Sequence, residues 1–128
     1  MRFDHVGVAT PDGDTLSDLF ERLFDAPIVH RETFDGLAVT FLDLGDGYVE
    51  LLEPLTDEGP IARFLDREGA GLHHVALATD DIAAALDTAR ACGVELVDDE
   101  PRPGAWGHDV AFLHPDSTGG VLVEFVEG

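Results

Sequence analysis

The segment Phe3-Asp4-His5-Val6-Gly7-Val8-Ala9-Thr10-Pro11-Asp12 recurs as Leu72-His73-His74-Val75-Ala76-Leu77-Ala78-Thr79-Asp80-Asp81, which sets His5 opposite His74 at an offset of 69 residues. A duplication of this kind constrains the fold strongly, because each half must form the same unit and equivalent positions fall around a pseudo-twofold axis. In both copies, small and apolar residues follow the histidine in strand order. A Thr and an Asp then stand where a helix should begin.

The remaining pattern extends the duplication. Residues 3–9 read as a strand closed by Pro11-Asp12-Gly13, and Asp14 is positioned to cap a helix. The apolar stripe of that helix is Leu16, Leu19, Phe20, Leu23 and Phe24, and it stops before Pro27. Strands are expected at Ile28–Phe34, Leu37–Leu44 and Tyr48–Leu52, separated by Asp35-Gly36 and Gly45-Asp46-Gly47 turns. A short linker helix follows, with Pro60 in its first turn and Ile61, Phe64 and Leu65 on one face. The second copy then repeats the order. Asp80 or Asp81 caps a helix bearing Ile82, Ala85, Leu86 and Ala89, Gly93 stops it, and strands are expected at Val94–Asp98, Asp109–Leu113 and Val121–Val126.

These elements predict an α+β fold in which tandem βαβββ modules form one eight-stranded cupped sheet around a metal cleft. One domain spans residues 1–128, with module one at 1–55, a linker with its short helix at 56–70 and module two at 71–128. The single cysteine, Cys92, lies on a helical pattern and cannot form an internal disulfide. The apolar runs are too short for a membrane span, and the chain enters a strand at Phe3 with no signal-peptide pattern, so a cytoplasmic protein is expected.

Charge narrows the partners. The chain carries 27 acidic residues against 7 basic ones, all Arg, for a net charge of −20. The acid is spread along the sequence, which argues against a disordered acidic tail and against nucleic acid as partner. Such repulsion is tolerable where salt screens it, so a halophilic source is expected. On this background an individual carboxylate is most simply a solvated surface group, and a chemical role must be argued from position.

Two glutamates have such a position. Glu50 in Tyr48-Val49-Glu50-Leu51-Leu52 and Glu124 in Val121-Leu122-Val123-Glu124-Phe125-Val126 are mid-strand acids among apolar neighbours, costly to bury unless paired or coordinated. They are equivalent in the repeat at an offset of 74, as Val39-Thr40-Phe41-Leu42 and Val110-Ala111-Phe112-Leu113 are at 71. His5, Glu50, His74 and Glu124 therefore form an N2O2 set suited to a divalent first-row metal with open positions for substrate. His73 should point to the opposite strand face. His30, His108 and His114 lack repeat partners and are read as non-ligands, with His108 and His114 placed at the cleft mouth.

The duplicated module with this His/Glu/His/Glu set resembles the vicinal oxygen chelate superfamily, which includes glyoxalase I and extradiol dioxygenases. Within it, Glu50-Leu51-Leu52-Glu53-Pro54, Gly59-Pro60-Ile61-Ala62-Arg63-Phe64-Leu65, Asp99-Glu100-Pro101-Arg102-Pro103-Gly104-Ala105 and His114-Pro115-Asp116-Ser117-Thr118-Gly119-Gly120-Val121-Leu122 resemble methylmalonyl-CoA epimerases. That resemblance implies interconversion of (2R)- and (2S)-methylmalonyl-CoA by proton transfer at C2 through a metal-stabilised enolate. It implies Glu124 as base, Glu50 as the symmetric carrier, and one divalent ion per chain, Co2+ ahead of Zn2+, Ni2+ or Mn2+. The partners implied are an acyl-CoA substrate and a second copy in a homodimer, with neither nucleic acid nor membrane. Some members carry Gln in place of Glu50 and an extra Glu at the position of Val39, an acid absent here. The alternatives are a glyoxalase I-type lactoylthiol lyase and a metal-free small-molecule binding protein on the same fold.

Overall fold

The computed structural model describes all residues from Met1 to Gly128. Eight strands and three helices run in the order β1 (Arg2–Ala9), α1 (Gly13–Phe24), β2 (Ile28–Phe34), β3 (Leu37–Asp43), β4 (Tyr48–Pro54), α2 (Pro60–Glu68), β5 (Gly71–Ala78), α3 (Ile82–Ala91), β6 (Arg102–Pro103), β7 (Asp109–Leu113) and β8 (Val123–Glu127). Contacts divide the chain into two compact units, His5–His73 and Met1–Asp4 with His74–Gly128.

In the His5–His73 unit the strand order is β2-β3-β4-β1, antiparallel except that β1 and β4 are parallel. The hairpin between β2 and β3 turns on Asp35 and Gly36, at φ 51° and 76°. Positive φ at both central residues is the type I′ geometry that matches strand twist. Ala26, Leu42, Val49 and Leu51 form the buried core, with Leu16 and Phe20 of α1 packed on it. The expected stripe is wider than this contact. Leu19, Leu23 and Phe24 are exposed, the buried helix positions being Gly13 and Ser17, and Phe24 in the last turn rests on Phe20 with ring centroids 4.7 Å apart. The N-cap is Asp12 rather than the expected Asp14, with its Oδ1 accepting from the Thr15 N–H at 3.1 Å.

The second unit repeats this plan with the order β5-β8-β7-β6, β5 and β8 parallel and the others antiparallel. Asp81 caps α3 through the Ala84 N–H, and Ile82, Ala85, Leu86 and Ala89 pack on Ala111, Leu113 and Phe125. One expected strand is missing. Val94–Asp98 makes only an isolated bridge, Leu96 to Leu113, because the Asp98 carboxylate takes the Phe112 N–H at 2.9 Å. A side chain thereby fills a site that a ladder carbonyl would occupy, and regular pairing stops. The module's edge is instead Arg102–Pro103, two residues ending in a proline that has no N–H to offer a further strand.

Candidate active site

Each unit contains one buried histidine–glutamate pair, built the same way. On β1, His5 is 4% exposed, and β4 lies alongside in parallel register with Gly7 opposite Glu50. The imidazole Nε2 stands 3.2 Å from Glu50 Oε1. On β5, His74 is 5% exposed, Ala76 is opposite Glu124, and Nε2 to Oε1 is 3.5 Å. Gly7 and Ala76 follow their histidines by two residues and share their face. Their small side chains leave the room in which imidazole and carboxylate meet.

A phenylalanine orients each ring. Phe41 meets His5 edge-on at 5.7 Å and 83°, and Phe112 meets His74 at 5.6 Å and 82°. Both phenylalanines pair across the ladder with the glutamates, Phe41 with Glu50 and Phe112 with Glu124. In the sequence these strands align, but nothing in the pattern assigns the two rings a role. Their signal is that they are the aromatic positions that coincide at the offset of 71.

Beyond the pairs the two units diverge. Around Phe41 stand Tyr48 and His30, and His30 faces Glu32 across 3.5 Å. Cross-strand pairing puts His30 on the same face as Phe41 and Glu50, and sets Glu32 opposite the buried Val39. Around Phe112, the Arg102 guanidinium lies 5.5 Å over the ring while its Nε donates to Asp98. His73 turns away from His74, its ring edge on Phe64 at 5.0 Å. His108 stacks on Trp106 and lines a cavity of about 320 Å³ with Arg2, Asp4, Thr79, Asp80 and Glu127, in which none of the four proposed ligands takes part. His114 accepts the Asp116 N–H, closing a turn.

The donor chemistry fits a divalent ion. Two atoms each about 2.1 Å from one ion, at octahedral or tetrahedral angles, stand roughly 3.0–3.4 Å apart, close to the spacings in both pairs. A charge-assisted N–H to carboxylate bond is shorter, about 2.7–2.9 Å. Imidazole nitrogen with carboxylate oxygen also suits first-row metals.

Residues 4–112 match the model of the Glyoxalase/Bleomycin resistance protein/Dioxygenase superfamily. The chain belongs to this superfamily. A mitochondrial methylmalonyl-CoA epimerase of Dictyostelium discoideum is 38% identical over 98% of this chain and 78% of that protein. Among solved structures, a hypothetical protein of Bacillus halodurans C-125 superposes with a TM-score of 0.96 at 37% identity, covering 99% of this chain and 94% of the other. A variant of Streptomyces coelicolor methylmalonyl-CoA epimerase in complex with 2-nitronate-propionyl-CoA gives 0.93 at 33% identity, covering 100% and 94%. The glyoxalase-type fold that the resemblance implies is thus the fold of this chain.

Proposed function

We propose that this protein is a methylmalonyl-CoA epimerase that interconverts the 2R and 2S epimers of its substrate. The observation that carries the reading is the buried His–Glu pair, present once in each module of a chain similar over nearly its whole length to proteins of that name. Two buried carboxylates need compensation, and one divalent ion shared by His5, Glu50, His74 and Glu124 supplies it. When bound, that ion would supply Lewis-acid stabilisation of negative charge on the thioester oxygen. The remaining work falls to the chain. Glu124 takes the C2 proton on one face, Glu50 serves the other, and Phe41 and Phe112 hold the imidazoles and exclude water.

Further parts of the reading are a CoA thioester as partner, a homodimer, and a cytoplasmic setting in a halophile. No helix is long and apolar enough to cross a membrane.

Deuterium exchange at C2 of methylmalonyl-CoA tests the function. Wild-type protein should exchange the proton, lose that activity to a chelator and regain it with Co2+. Glu124→Gln should keep some metal through its amide oxygen yet lose at least about 100-fold in exchange, the range for a general base. Glu50→Gln should slow epimerisation while leaving exchange from one epimer in place. Chelator-insensitive exchange, or turnover of a hemithioacetal without C2 exchange, would overturn the epimerase reading.

A further inference from the structure

Three residues beyond each proposed ligand glutamate stands a second glutamate that crosses the fold. Glu53 Oε1 accepts the Gly13 N–H at 2.7 Å, and Glu127 Oε1 accepts the Ile82 N–H at 2.7 Å. Gly13 and Ile82 are the first residues of α1 and α3, the helices that follow the histidine strands. These contacts repeat at the offsets of the ligands themselves, 69 for the helix residue and 74 for the glutamate. The same register governs the last ladder bonds, from Thr10 N–H to Leu52 C=O at 3.0 Å and from Thr79 N–H to Val126 C=O at 2.9 Å.

Each helix start is already capped locally. Asp12 and Asp81 take the N–H of the third helical residue, at 3.1 and 3.0 Å. Local capping leaves the first helical N–H to be satisfied from elsewhere. In both units it is satisfied by the strand that carries the ligand glutamate, across 40 and 45 residues of sequence. A parallel strand pair can slip by two residues and keep its side-chain faces, and such a slip would part His5 from Glu50 or His74 from Glu124. A carboxylate fixed to the N-terminus of the helix directly after the histidine strand blocks that slip.

We propose that Glu53 and Glu127 are positioning residues, tethers that hold Glu50 against His5 and Glu124 against His74 at ligand spacing. The inference rests on the metal-ligand reading above. What each tether supplies is an acceptor of glutamate length, so its charge is secondary. Gln preserves the acceptor and its reach, whereas Asp preserves the charge but retracts the oxygen by about one methylene, which drags the strand or breaks the contact.

Titration of the metal-free protein with Co2+, followed by its visible absorption, tests the tethers apart from turnover. Glu53→Gln and Glu127→Gln should bind within about threefold of wild type with its spectrum. Glu53→Asp, Glu127→Asp and the Ala variants should bind about 10–100-fold more weakly with an altered spectrum, the range for groups that orient metal ligands. Asp12→Ala and Asp81→Ala serve as controls, since they loosen the same helix ends without touching β4 or β8. They should lower the melting temperature yet leave Co2+ affinity within about twofold. Should an Ala variant not fold, the Asp and Gln pair decides alone. Asp variants that bind like wild type, or control variants that lose as much affinity as the tether variants, overturn the positioning role. Wild-type protein that takes up no Co2+ overturns the ligand reading, and the tethers with it.

Discussion

At the scale of single residues, position distinguishes groups that composition makes equivalent. His73 and His74 are adjacent, but the first meets Phe64 and the second meets Phe112 and Glu124. Strand alternation alone separates them. His74→Ala should therefore lose the bound metal while His73→Ala keeps about one ion per chain, measured by elemental analysis of folded protein. Equal metal content in the two variants would remove His74 from the ligand set. The proposed ligands were legible in the sequence because the repeat singles them out. Phe41 and Phe112 fell within the same aligned strands, but an apolar residue on an apolar strand carries no mark of what it touches. Glu53 and Glu127 were hidden for the opposite reason, among 27 acids of which most are solvated.

Elements were legible where local chemistry and tertiary contacts agree. All three helices follow from periodicity and the repeat, whereas the parallel pairing of β1 with β4 and of β5 with β8 is set by tertiary contacts. Val94–Asp98 fails because Asp98 reaches the Phe112 N–H, a contact 14 residues away that strand propensity does not register. The cap of α1 is Asp12, two residues before the expected Asp14, and it carries a prediction. The Asp12 carboxyl is held below the ordinary value of 3.8, first by the Thr15 hydroxyl donating at 2.7 Å and then by the Thr15 N–H. Both bonds favour the charged form. A folded value below the unfolded one means the contribution is present above the unfolded value and lost as pH falls through the folded one. The gap in urea midpoint between wild type and Asp12→Ala should thus hold steady from pH 7 to about 5 and shrink below the unfolded value. A gap that widens on acidification would contradict the cap.

For the whole molecule, the governing quantity is a net charge of −20 on 128 residues. Arg2, Arg67, Arg90 and Arg102 each stand within ion-pair distance of a carboxylate, and the first three of these pairs lie between side chains open to solvent, while Asp98, the partner of Arg102, is half-buried. Exposed pairs of this kind contribute little, about 0–1 kcal/mol each. Seven arginines cannot neutralise 27 acids in any case, so folding gathers like charges with few local partners. Mobile ions supply the remedy, since the screening length falls from about 10 Å at 0.1 M to about 3 Å at 1 M. Melting temperature should accordingly rise by roughly 10 °C between 0.05 and 1 M KCl, equivalent to a few kcal/mol for a chain of this size. Most of the rise should be complete by about 1 M, because screening saturates, whereas exclusion of salt from apolar surface keeps strengthening burial as concentration climbs. Substituting Asn or Gln for exposed acids remote from the site, such as Asp57, Glu58 and Asp66, should raise stability at 0.05 M and flatten the salt curve. A melting temperature that does not move between 0.05 and 1 M, or an equal slope in the neutralised variant, would show that repulsion among these carboxylates does not limit the fold.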